Sequence, residues 1–481
     1  IKMATTVEDV IHQVGDCGKY QFLLVPLVFS SVPPVVWSML MMVFGALEPD
    51  WWCESRDLYT PSRGNGSVGD IGWVATTTDE EVLSDETPGV WNDTWGRGAT
   101  ENGPLLRNCS LKKHGCDRIT FSSGANTLVS EFQLVCDLAW VPSMMISVQM
   151  VGVLVGASVS GQLGDSVGRK KTLVSMTVLH TLFTLVAAFS NSWQMFTVLR
   201  ALIGFTVGGV LATSFTYPTE FIGIKWRPLL GTLPVWGIGA VTYSLVVWAL
   251  RDWRHVHIAT AVCTAATLPA WIFLPESIRW LSVKGHVDEA HHVLRSVARW
   301  NRRKDPDVGV IRNLSSRSDD SHKTFTYFHI CSNWNIAKIA IVTGCSCSLT
   351  YYGISFGIKS LSGDFYLNFF LMAVVEVPPS LFVYYLANRL GRRWTCGLAF
   401  FVTSSSCLAV IPAFFFAPAE SVGTIVNGLS MVARMSLNLG WNTMTVFVAE
   451  LYPTVVRNIG IGYCNTTARI GGILAPYILS S

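Results

Sequence analysis

Two ionisable residues sit where the chain is most apolar: Glu376, about halfway along the run 364–387, and Arg469, about halfway along the run 457–479. A charge at the centre of a bilayer costs ~2.5–3.5 kcal/mol on insertion scales, so each needs a partner or a task. A carboxylate and a guanidinium at matching depth suit the binding of a small charged solute. The guanidinium fork fits a planar carboxylate, and the carboxylate fits an ammonium. A solute bearing both signs would complement the two residues; the alternative is that Glu376 and Arg469 bond each other as a structural pair. Enzyme chemistry has no comparable footing. The sequence contains no Walker A loop, GxGxxG nucleotide loop, HExxH or zinc-spaced cysteine set, so neither catalysis nor a cofactor nor a metal is expected. His291-His292 reads as a surface pair. Without an ATP-binding element, solute or ion gradients must supply the energy. Sodium coupling is compatible with this, and the first apolar run has no Asp or Glu to argue for a proton relay.

These residues need a scaffold, and the composition names its kind. Of 481 residues, half are hydrophobic and only 14% charged, and mean hydropathy is +0.40. A soluble domain carries about 25% charged residues, so much of this surface faces something other than water. A net charge of +3 gives no global field to draw nucleic acid. Eleven candidate spans lie near 21–45, 142–163, 172–190, 194–216, 229–250, 254–274, 336–358, 364–387, 394–416, 421–447 and 457–479. Runs of about 20 apolar residues cross the hydrocarbon, and only helices satisfy the backbone there. The predicted fold is therefore all-α and polytopic. The chain starts at Ile1, not Met, and the odd span count suggests a twelfth helix missing after Ser481.

Two long connections orient the spans. Residues 46–141 hold Cys53, Cys109, Cys116 and Cys136, with the sequons at Asn65, Asn92 and Asn108. Cysteines and glycosylation signals in one loop fit an oxidising, extracellular compartment; four cysteines allow three pairings. Residues 275–335 are rich in Arg and Lys, as is the short Arg169-Lys170-Lys171 loop. Basic loops mark the cytoplasmic face, which places residues 1–20 inside and the large loop outside. The basic stretch near 285–303 reads as an amphipathic helix pair rather than a nucleic-acid patch. The expected organisation is a cytoplasmic segment 1–20, a first span 21–45, the loop 46–141, the rest of one helical half 142–274, a cytoplasmic helical loop 275–335 and a second half 336–481.

The halves repeat. Gly161-Gln-Leu-Gly-Asp165-Ser-Val-Gly168-Arg169 after the second span is echoed by Leu386-Ala-Asn388-Arg389-Leu-Gly391-Arg392 after the eighth. Tyr217-Pro-Thr-Glu220 is echoed by Glu450-Leu-Tyr452-Pro453-Thr454. Matching elements six spans apart imply two six-helix halves with a site at their interface. Gly permits the tight turn, Asp165 favours a neighbouring helix N-terminus, and Arg169 can pair with acids on the cytoplasmic rim. Such links hold a gate shut and must break when the halves rock.

These elements resemble the signature of the major facilitator superfamily. With Pro275-Glu276-Ser277-Ile278-Arg279-Trp280, Thr350-Tyr351-Tyr352-Gly353 and Val375-Glu376-Val377-Pro378, the chain is most similar to the solute carrier 22 branch of organic cation, anion and carnitine-type transporters. The resemblance implies plasma-membrane transport of small organic ions by alternating access. At the position matching Arg469, anion and carnitine-type carriers place Arg and cation carriers Asp. Cation and carnitine-type carriers place Glu at the position matching Glu376, while anion carriers place Lys one turn later, where this chain has Ser380. The combination points to zwitterions such as carnitine-like, betaine or amino-acid derivatives; organic anions come second and cations third. Trp236, Tyr351, Tyr352 and Trp441 match substrate-contacting aromatics, and cation–π attraction suits them to quaternary ammonium groups. Arg200 begins a segment resembling the superfamily's span-four motif and reads as structural or gating. Glu220, Glu276, Arg279 and Glu450 read as cytoplasmic partners of Asp165, Arg169 and Arg392. A receptor, which could carry the same glycosylated loop, needs neither the repeated gate elements nor the intramembrane charges.

Overall fold

A computed structural model describes residues 7–54, 118–122, 124–223, 226–304, 334–451 and 457–480. An amphipathic α1 (Val7–Val14) precedes the first apolar run, which forms not one helix but two, α2 (Lys19–Phe29) and α3 (Val32–Gly45). At the join, Ser30 and Ser31 turn their hydroxyls onto Leu27 O (2.7 Å) and Val28 O (2.9 Å). Pro33 follows in the first turn of α3, where a missing N–H removes no helical bond. A short α4 (Leu128–Phe132) leads into α5 (Val141–Val167), α6 (Arg169–Ala188), α7 (Trp193–Thr219), α8 (Arg227–Thr232), α9 (Val235–Leu250) and α10 (Trp253–Thr267). The connecting helices are α11 (Ile278–Val283) and α12 (Val287–Trp300). The second half comprises α13 (Trp334–Gly357), α14 (Phe365–Val374), α15 (Val377–Leu390), α16 (Arg392–Phe416), α17 (Ala419–Leu451) and α18 (Arg457–Ser480).

Among the described residues, 8 segments are long and apolar enough to cross a membrane, and Val235–Leu250 is apolar but shorter. Their burial differs in a way that sets their places. The window of Lys19–Gly45 is 83% buried and runs inside the bundle, whereas that of Arg392–Phe416 is 17% buried and forms its apolar rim. Apolar attraction cannot drive helices together in lipid, so close packing must. At Gly156, a Cβ would stand 1.9 Å from the carbonyl oxygen of Phe205, so α5 and α7 touch backbone to backbone.

The helical expectation gains one short exception. Strands β1 (Trp51–Glu54) and β2 (Arg118–Phe121) pair antiparallel, Trp51 opposite Phe121 and Glu54 opposite Arg118, and bring the two ends of the large loop together. Beyond them, Glu131 accepts from Trp253 Nε1 (2.6 Å) and Arg254 Nη2 (2.5 Å). Arg254 also donates to the carbonyls of Ala188 (2.6 Å) and Ser190 (2.8 Å), which ties α4 to the ends of α6 and α10. At the opposite end, Asn301 beyond α12 accepts from Tyr20 N (3.0 Å) and donates to Val14 O (3.1 Å), binding the connecting helices to α1 and α2.

Candidate solute site

The eighth apolar run breaks at Val375–Glu376, between α14 and α15. Pro378 and Pro379 explain the break, since neither has an N–H to donate to the carbonyl four residues back, at Val374 and Val375. Glu376 caps α15 and its side chain is fully buried. Its partner is Arg434 of α17, not Arg469. Arg434 Nε and Nη2 both lie 2.5 Å from Glu376 Oε1. Arg434 Nη1 donates to the Tyr351 carbonyl (2.9 Å) and Ser355 Oγ (2.6 Å) of α13, and the guanidinium lies 3.7 Å from the Tyr351 ring centroid. The structural pair weighed between Glu376 and Arg469 is thus replaced by one the sequence reading did not pick out. An intramembrane cation in the tenth run was the signal available for it.

Aromatic residues close over this pair from both halves. Tyr351 Oη donates to Glu376 Oε1 (3.2 Å) and accepts from Trp236 Nε1 of α9 (2.5 Å). Gly237 brings α9 so near that an added Cβ would stand 3.2 Å from Val377 and 3.5 Å from Glu376. Tyr352 meets Tyr351 edge to face at 5.4 Å and stacks on Phe356 at 6.0 Å. Arg469 of α18 is half-buried and donates to Tyr352 Oη (3.2 Å); it makes no ion pair with the described residues. Glu376 Oε2 has no hydrogen-bond partner among them either. One turn after Glu376, Ser380 donates to Asn438 Oδ1 (3.1 Å) and accepts from Asn442 Nδ2 (3.1 Å), so the position holds a neutral network. Trp441 is half-buried two turns along α17 from Arg434, and its ring lies over none of the three charged residues in a cation–π contact.

The rim residues assemble unevenly. Arg169 bridges Asp165 (2.5 Å) and Glu220 (3.2 Å), and the Lys170 N–H donates to Glu276 Oε1 (2.9 Å). Ser277 donates to Glu220 Oε2 and Tyr217 to the Pro275 carbonyl, which links α7 to the connecting helices. Gly168 makes the turn with φ +122°, and Gly391 makes the equivalent turn with φ +86°. Such angles favour glycine. Arg279, expected in this network, is exposed and pairs with no described acid. Arg392 donates to the Ala387 carbonyl at 3.4 Å, in a half where Asn388 replaces Asp165. Arg200 lies apart from the solute site, buried in the first half against Gln149 and Ser38. Cys136 is disulfide-bonded. Cys109, Cys116, Asn65, Asn92 and Asn108, with the side chains of Cys53 and Glu450, lie outside the described residues.

A bundle in two halves, with a buried ion pair and aromatic residues where the halves meet, has the architecture of a membrane carrier. The profile of the family described as sugar (and other) transporter matches residues 104–480. The organic cation/carnitine transporter 2 of Homo sapiens is 33% identical, over 98% of this chain and 86% of its own length. Solute carrier family 22 member 4 of Mus musculus is 32% identical over the same shares. The xylose transporter of E. coli, in a partially occluded inward-open conformation, matches with TM-score 0.60 over 95% of this chain and 91% of its own. At 12% identity that likeness shows the fold alone. The chain belongs to the sugar (and other) transporter family of the major facilitator superfamily, and within it to the solute carrier 22 group. It is a multi-pass membrane transporter and not an enzyme.

Proposed function

We propose that this chain carries small organic zwitterions, such as carnitine-like, betaine or amino-acid derivatives, across the plasma membrane by alternating access. The observation that carries this reading is the division of charge at the site. Glu376 is held by Arg434 through one oxygen, and among the described residues its Oε2 has no hydrogen-bond partner and Arg469 has no acidic partner. A solute carboxylate would take the guanidinium of Arg469, whose fork matches it. A solute ammonium would face Oε2 and the rings of Tyr351 and Trp236 by charge and cation–π attraction. Relatives named as an organic cation/carnitine transporter and an organic cation transporter support organic ions as cargo.

A second reading has its own observation. If Arg434 neutralises Glu376, Arg469 alone sets the sign, and organic anions fit better than cations. Uptake of matched cationic, anionic and zwitterionic solutes, in cells expressing the chain, separates the two. The zwitterion reading expects the zwitterion to be carried best, with Arg469→Ala selectively losing carboxylate-bearing solutes and Glu376→Gln losing those with an ammonium. Anion uptake alone, untouched by Glu376→Gln, would overturn it. Repeating the uptake with sodium replaced by a large organic cation tests sodium as the coupling ion.

A further inference from the structure

The two halves carry an arginine at nearly matching places. Arg200 stands seventeen residues before Tyr217-Pro218, and Arg434 eighteen before Tyr452-Pro453. Each reaches the second span of its own half, where the likeness ends. Arg434 meets the carboxylate of Glu376. Arg200 meets an amide: its Nη2 donates to Gln149 Oε1 (2.5 Å) and to the Ser38 carbonyl (3.2 Å).

The guanidinium of Arg200 is 0% exposed, and its Nε and Nη1 find no acceptor among the described residues. What surrounds it is neutral or basic. His180 bonds Ser38 Oγ and Thr206 Oγ1, each at 3.1 Å. The Phe196 ring lies 5.8 Å from the guanidinium of Arg200 and meets His257 edge-on at 5.6 Å. Trp37, next to the Ser38 that Arg200 bonds, meets the Tyr243 ring at 6.4 Å, and Arg200 pairs with no carboxylate among the described residues. Tyr243 Oη and His257 Nε2 are buried and also lack a hydrogen-bond partner among the described residues. A buried charge needs a counter-charge, and buried donors need acceptors. Both needs are met by one species with negative charge and no donors of its own.

We propose that the Arg200, Tyr243 and His257 cluster binds a small monovalent anion of the size of chloride, as the counter-ion that Glu376 supplies in the other half. This site is separate from the solute site and does not depend on the zwitterion reading. The test is the unfolding temperature of the purified chain in lipid nanodiscs, with chloride replaced by gluconate at constant ionic strength. A saturable rise in Tm with chloride, reproduced by bromide and not by sulfate, is expected. Tyr243→Phe removes one donor to the anion and should raise the half-saturating chloride concentration on the order of tenfold. Gln149→Glu recreates the pairing of the other half and should make Tm independent of chloride. If that variant does not fold, the Tyr243→Phe titration decides alone. A Tm indifferent to chloride overturns the proposal. So does a chloride dependence left unchanged by Tyr243→Phe, or one abolished by Arg469→Ala, which would place the anion at the solute site.

Discussion

Glu376 and Arg434 meet at 2.5 Å with side chains 0% and 4% exposed, so each is the main reason the other can be charged inside the bundle. Removing one partner of a buried pair leaves an uncompensated ion, at about 3–5 kcal/mol, whereas removing both costs much less. Glu376→Gln and Arg434→Gln are each expected to lower stability by about that amount. The double variant should lose much less stability than the sum of the two single losses. Denaturant unfolding of the four purified proteins measures this directly, and additive losses would dissolve the pair as a unit. Arg469 differs in kind. It is half-buried and gives one hydrogen bond to Tyr352. Arg469→Ala should therefore stay within about 1.5 kcal/mol of the parent, the usual range for one such bond. A functional loss in that variant then reports on solute and not on folding.

Most helices could be read from apolar run length alone, because crossing hydrocarbon leaves the backbone no other way to satisfy its donors. The breaks could not. Run length is blind to the join at Ser30–Ser31, and to the interruption that turns Glu376 from a mid-helix residue into a helix cap. Pairing was equally hidden. The charges at 376 and 469 drew attention by depth, but Glu376 finds Arg434, 58 positions away, through the packing of α15 on α17. The loop could be recognised by its cysteines and sequons, while its anchoring through Glu131, Trp253 and Arg254 depends on contacts no motif announces. The glycines follow the same division. At Gly156 an added Cβ would collide with the backbone of Phe205, which cannot yield, whereas at Gly353 nothing lies within 4 Å. Gly156→Val is expected to abolish the monodisperse folded protein, and Gly353→Ala to leave its yield and Tm close to the parent. Size-exclusion profiles and thermal unfolding distinguish them. Normal folding of Gly156→Val would mean that α5 and α7 do not approach as closely as described.

The contacts between the halves gather toward the end of the bundle that carries the large loop. Ser147, near the start of α5, donates to the Ile473 carbonyl of α18 at 2.8 Å. Tyr243 of α9 meets Phe369 of α14 at 5.7 Å, and the guanidinium of Arg251 sits 5.3 Å from the Tyr366 ring. At the other end, the bridges of Arg169 to Asp165 and Glu220 stay within the first half, and Glu276 joins that half to the connecting helices. This arrangement closes the loop side over the Trp236–Tyr351 contact. Transport by alternating access requires α5 and α18 to part there in every cycle, since a solute cannot pass helices packed this closely. A short bifunctional thiol reagent applied to the pair Ser147→Cys and Ile473→Cys should therefore stop uptake of whichever test solute the parent carries. Cleaving the link should restore it, and each single-cysteine variant treated alike should keep its uptake. Uptake that continues through a linked pair, with linkage verified by mass spectrometry, would show that this seam does not open and would remove rocking of the halves as the mechanism.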